Sequence, residues 1–221
     1  MPSPPRDEAE LVARARALLG CRIDALASDW GVRVDGAPVR AKGKVGELVE
    51  RALGATGGAA ATWDFPSLRV ELKTIPIDSR GAARESTFVC AISLLDAERA
   101  EWETSWVRAK LARVLWLPVG SDADGSRRIG GARMWSPSRE QERVLKDDFD
   151  EILGRIGAVG VEGLSGHVGR WLQLRPKAAH GGVRTRAPGA DGGLIETVPR
   201  GFYLRARFTT AILRDADALP P

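Results

Sequence analysis

In the run WDFPSLRVELKTIP (63–76), Leu68, Val70 and Leu72 alternate with Arg69, Glu71 and Lys73. A period of two predicts a β-strand with one face buried, and it places Glu71 and Lys73 on the same side, roughly 7 Å apart. Asp64 stands seven residues before Glu71, across a Phe65-Pro66 turn that could fold its carboxylate back toward the strand. Two carboxylates offer hard oxygen ligands to a divalent cation, and a neighbouring lysine can orient water or meet developing negative charge. The triplet is short, and its bland reading is an edge strand with a solvated charged face.

Other residues carry chemistry only in context. Val45, Leu48, Val49, Ala52 and Leu53 recur at helical spacing, which predicts an amphipathic helix over 44–53 closed by Gly54. Glu50 lies at the edge of that stripe, either facing water or directed toward a neighbouring site, and the pattern leaves both open. Lys110 sits beside a second stripe, Val107, Leu111 and Val114, in a helix capped by Thr104 or Ser105. A lysine in such a place snorkels by default, its stem covering the core. Towards the C-terminus, LQLRPKA and VPRGFYLRARFT read as strands presenting Arg175, Lys177, Arg200, Arg205 and Arg207 around Tyr203. Cations interleaved with aromatics suit a nucleic acid, and Arg175 or Lys177 could read guanine O6 and N7. Scattered surface charge is the plainer account.

These residues need a frame. Helices are expected over 6–19 and 23–28, a loop over 31–44, and mostly apolar strands over 87–94 and 114–119. The strand–helix–strand grouping implies an α/β core. The glycines of GATGGAAAT (54–62) lack a following Gly-Lys-Ser/Thr, which excludes a nucleotide-binding loop. A polar loop is expected over 122–133. The longest helix should then start at Ser136 as N-cap with Pro137 in its first turn, its acids Asp147, Asp148, Asp150 and Glu151 forming a solvated face. His167 and His180 stand in loops without a partner pattern.

The 221 residues fit one large domain, and 43% hydrophobic with 28% charged residues is ordinary for a globular chain. The net charge of +4 permits a polyanionic partner without demanding one. Cys21 and Cys90 lack metal-ligand spacing and suggest no disulfide. No apolar run approaches bilayer length and MPSPPRDEAE lacks a signal-peptide core, so a cytoplasmic protein is expected.

The run DFPSLRVELKTIPIDSRG, followed by ESTFVC, WETSWVRAKLARVLWLPV, LQLRPKA and PRGFYLRARFT, closely resembles the MutH family of DNA mismatch-repair endonucleases, in order from about Glu8 to Leu213. The resemblance implies a restriction-endonuclease-like fold, a mixed central sheet flanked by helices, as a single domain over 1–221. Two lobes, roughly 6–112 and 113–214, would surround a DNA-binding cleft. It further implies a Mg²⁺-dependent endonuclease, with one or two ions, acting as a monomer. The enzyme would nick the unmethylated strand of double-stranded DNA at hemimethylated GATC sites, activated by MutL after MutS finds a mismatch. Asp64, Glu71 and the Leu72 carbonyl would hold metal, with Lys73, Glu50 and Lys110 completing the catalytic group. Lys42, Arg175, Pro176 and Lys177 would contact DNA, and Tyr203 matches the tyrosine associated with sensing adenine methylation. Trp106 and Ala109 depart from the pattern where histidines can occur, and the loop after His180 is not a close match. A restriction-type endonuclease cutting both strands, or a non-catalytic DNA-binding module of the same fold, would share much of this sequence.

Overall fold

The computed structural model describes residues 2–31, 38–58, 62–178, 182–215 and 217, and for 38–42 the backbone alone. In chain order its main elements are α1 (Glu8–Ala17), α2 (Ile23–Asp29), α3 (Pro38–Leu53), β1 (Glu71–Pro76), β2 (Thr87–Ala91), α4 (Trp106–Leu111) and β3 (Val114–Ser121). There follow β4 (Arg127–Ile129), β5 (Arg133–Trp135), α5 (Arg139–Val159), β6 (Leu172–Pro176), β7 (Thr185–Pro188), β8 (Leu194–Thr197), β9 (Arg200–Leu204) and α6 (Ala206–Arg214). They form two compact units interleaved along the chain: Met1–Glu85, Ala112–Ser136 and Ile212–Ala216 in the first, and Ser86–Leu111, Pro137–Ala211 and Asp217–Pro221 in the second. No helix among the described residues is long and apolar enough to cross a membrane.

In the first unit β1 runs parallel to β3, and β4 and β5 pair antiparallel with successive halves of β3's other edge. Val70, Leu72, Leu115 and Leu117 meet Leu11, Leu48, Val49 and Leu53 of the helices in one apolar core. α1 starts where the Asp7 side chain accepts the Glu10 N–H at 2.8 Å, with acids in its first turn and arginines in its last, as the helix dipole favours. α3 begins at Pro38, six residues before the expected helix start, because a proline needs no N–H partner in a first turn. β1 starts later than the alternation of its sequence suggests. Residues 66–69 are a turn and Arg69 has a left-handed φ of 53°, so only Glu71 onward pairs with β3. The polar loop expected over 122–133 is instead a turn between β3 and β4 followed by β5.

In the second unit β2, β9 and β6 form an antiparallel sheet with β9 in the centre. α5 packs on it through Phe149, stacked 5.4 Å from Phe202; the Phe149 ring also meets Trp102 edge to face at 5.6 Å. The cap of α5 is Ser138, not Ser136: the Ser138 side chain accepts from the Gln141 N–H at 3.2 Å, while the Gln141 side chain accepts from the Ser138 N–H at 3.0 Å. Ser136 donates to the Ala112 carbonyl at 2.7 Å. The C-terminal strand ends at Leu204, and the remainder is α6, whose Phe208 stacks 4.3 Å from Trp171. Asp148 is not on a solvated face. It is 4% exposed and accepts the N–H groups of Arg170, Trp171 and Leu172 at 2.6, 2.6 and 2.7 Å, fixing the entry to β6.

Candidate functional site

Asp64, Glu71, Lys73 and Glu50 all fall in the first unit. The turn between the two acids is closed by a bridge: the Phe65 and Val70 N–H groups each donate to the other's carbonyl, at 3.0 and 3.2 Å. Phe65 and Val70 are buried, so the core anchors both ends of that turn. This folds Asp64 back as the spacing suggests, and its Oδ2 accepts the Leu72 N–H at 2.7 Å. The loop after α3 is tied to the same point, since Thr56 and Gly57 donate to the Asp64 carbonyl at 3.1 and 3.0 Å. A Cβ at Gly57 would stand 1.8 Å from the Trp63 carbonyl oxygen, so only glycine permits that approach.

Glu71 and Lys73 share a face of β1 and join there: Lys73 Nζ donates to Glu71 Oε1 at 2.8 Å. Glu71 is 3% exposed, so this is not the solvated charged edge of the bland reading. Glu50 reaches the cluster from α3. A Cβ on Gly46 would lie 3.8 Å from Glu50 Oε1 and 3.6 Å from Thr74 Oγ1, which puts that carboxyl beside β1. The Glu50 carboxyl is pushed up to about 7, by burial first and then by the charge of Asp64; Lys73 opposes the rise, and Glu71 and Glu47 add to it. Three carboxylates thus converge with one lysine among them.

That donor set suits a hard divalent cation, which takes oxygen ligands and fills its shell with water. Among the described residues no group of three or more His, Cys, Asp and Glu side chains is already arranged as a metal cage. Asp64 Oδ2 and Glu71 Oε1 are engaged by Leu72 and Lys73 instead. Lys110 lies in the second unit, 5% exposed, so it is buried rather than snorkelling. The Lys42 side chain lies outside the described residues, while its backbone belongs to α3.

The second unit carries the basic face. Gln173 lies opposite Tyr203 and Arg175 opposite Gly201 across β6 and β9, and Phe88 lies opposite Tyr203 across β2 and β9. Arg175 sits 5.8 Å over the Tyr203 ring, Lys177 sits 4.8 Å over the Phe88 ring, and the two rings meet edge to face at 5.2 Å. Pro176 ends β6 opposite Arg200. Sequence reasoning missed Phe88, which reads as core within an apolar strand. It also missed Gly201, whose Cβ would stand 2.7 Å from the Phe88 ring, and Gln173, which donates to Ser86 at 2.7 Å. Arg205 and Arg207 are not on this face as free cations: Arg205 donates to the carbonyls of Gly166, Val168 and Gly169, and Arg207 to that of Arg170.

Residues 53–148 match the family described as DNA mismatch repair enzyme MutH. The DNA mismatch repair protein MutH of Serratia proteamaculans is 44% identical over 216 residues, covering 96% of this chain and 95% of that protein. Its namesakes from Klebsiella pneumoniae and Escherichia coli are 45% and 44% identical over 214 residues, each covering 96% of this chain and 93% of theirs. With Glu71 and Lys73 side by side on β1, Asp64 folded back onto that strand and similarity running along nearly its whole length, the chain belongs to the MutH family of DNA mismatch repair proteins.

Proposed function

We propose that this protein is a Mg²⁺-dependent endonuclease of restriction-enzyme-like fold, acting as a single domain. It nicks the unmethylated strand of double-stranded DNA at hemimethylated GATC sites and is activated by MutL. The observation that carries the reading is the convergence of Asp64, Glu71 and Glu50 around Lys73 in a chain of this family. Asp64, Glu71 and the Leu72 carbonyl would hold the ion, with Glu50 adjacent. A bound Mg²⁺ supplies Lewis acidity toward the phosphodiester. Lys73 orients the attacking water or meets the charge developing on the phosphate. Arg175, Pro176 and Lys177 read the site, Lys42 contacts DNA, and Tyr203 senses the adenine methyl group.

The test is nicking of a hemimethylated GATC plasmid with and without Mg²⁺ and MutL. Strand-selective nicks that need the ion and increase with MutL are expected. Double-strand cleavage indifferent to MutL would identify a restriction-type enzyme. Binding without cleavage under all conditions would leave only a DNA-binding module.

A further inference from the structure

Among the described residues nine have a left-handed φ, and eight of them are glycines. The ninth is Arg69, at the end of the turn that joins Asp64 to Glu71. A side chain in this conformation is strained, and glycine would be free of the strain. The turn geometry is imposed from below: Phe65 and Val70 are buried at its ends and Leu68 packs against the core, so the backbone at position 69 has little choice. A chain that supplies glycine at the eight other such described positions retains an arginine here. What it keeps is an exposed guanidinium 5.9 Å over the Trp63 ring, paired with no carboxylate among the described residues. Strained residues of this kind cluster at functional sites.

We infer that Arg69, braced on Trp63, is a DNA-backbone contact that grips a phosphate flanking the one held at the Asp64–Glu71 cluster. A duplex carries one negative charge per roughly 1.7 Å of axis, so a cation beside the strand that engages one phosphate meets its neighbours. A guanidinium pairs bidentately with phosphate, and the cation–π contact with the indole limits where the side chain can swing. The contact carries no sequence information and acts on register and affinity. This inference rests on the nuclease reading above. The test is equilibrium binding of the whole protein to GATC duplexes, and to duplexes with a scrambled site, from about 50 to 300 mM salt in Ca²⁺ to suppress cleavage. Arg69→Gly relieves the strain and so folds at least as well while losing the cation; Arg69→Lys keeps the charge. Arg69→Gly should weaken binding roughly five- to tenfold at about 0.1 M salt, equally on both duplexes, and lower the slope of log K against log salt by about 0.9. Arg69→Lys should keep the slope. An unchanged slope and affinity in Arg69→Gly, with wild type binding normally, overturns the inference alone; failure of the wild type to bind DNA overturns the nuclease reading with it.

Discussion

Glu50→Gln tests the electrostatics of the carboxylate cluster without any assay of cleavage. The Glu50 carboxyl is raised from 4.5 to about 7 in the folded protein. The native state therefore holds that proton more tightly than the unfolded chain, and unfolding releases it between these values. Stability from this group is fully present below about pH 4.5 and is lost as pH rises through 7. A shift of about 2.5 units corresponds to about 3 kcal/mol at 1.36 kcal/mol per unit. Glu50 is only partly buried, and solvent screening reduces this to about 1–2 kcal/mol. Glutamine keeps the shape and cannot ionise. In metal-free buffer the variant should match wild type within about 0.5 kcal/mol at pH 5 and exceed it by about 1–2 kcal/mol at pH 8, read by urea unfolding. Parallel pH profiles for the two proteins, or a variant less stable at pH 8, would refute the claim that burial and neighbouring acids hold the proton on Glu50.

Asp148→Ala strands two buried N–H groups and a third that is half-buried, and should cost about 3–5 kcal/mol in urea unfolding, whereas Asp148→Asn, which still accepts, should cost less; a loss under about 1 kcal/mol for alanine contradicts the clamp. Lys73→Arg should not restore nicking, because a planar, longer guanidinium cannot replace a compact ammonium on Glu71; wild-type rates would reduce Lys73 to diffuse charge. Arg175→Ala should lose about 1–3 kcal/mol of GATC discrimination in competition binding before general affinity falls. Tyr203→Phe should change the ratio of nicking rates on hemimethylated and fully methylated DNA, and equal losses on all methylation states would make it a general support.

The cluster was legible because its elements have clean periods. Alternation over β1 put Glu71 and Lys73 on one face, and helical spacing in α3 left Glu50 at the edge of the stripe facing β1. Asp148 was legible in principle. It falls on the same stripe as Leu145 and Ile152, and a carboxylate there needs donors; those donors lie beyond the helix, in residues 170–172, where no local pattern points back. A turn at Phe65-Pro66 was legible, but its reach to residue 69 was hidden because its left-handed position carries arginine instead of the glycine that would announce it. α6 was hidden because Arg205 and Arg207 continue the basic alternation of β9, although Phe208, Ala211 and Ile212 already have helical spacing. Phe88 illustrates a different limit. Its partners Tyr203 and Lys177 come from β9 and the end of β6, so whether it faces core or solvent depends on strand pairing.

Each unit, taken alone, carries an electrostatic excess that folding does not require. In the first, burial and the charges of Asp64 and Glu71 push the Glu50 carboxyl well above the ordinary carboxylate range, a state that amides in place of acids would remove. In the second, Arg175 and Lys177 rest on aromatic rings without a carboxylate partner among the described residues. Surface pairs elsewhere show that this chain neutralises charge readily where nothing else is at stake: Arg51 with Glu47, Arg143 with Asp147 and Lys146 with Asp150 all pair across one helical turn. The two excesses have opposite sign and opposite remedies, a divalent cation for the acids and a polyanion for the cations. The proposed metal-dependent nuclease would give each excess its ligand, and a DNA-binding module without chemistry would leave the acids unexplained.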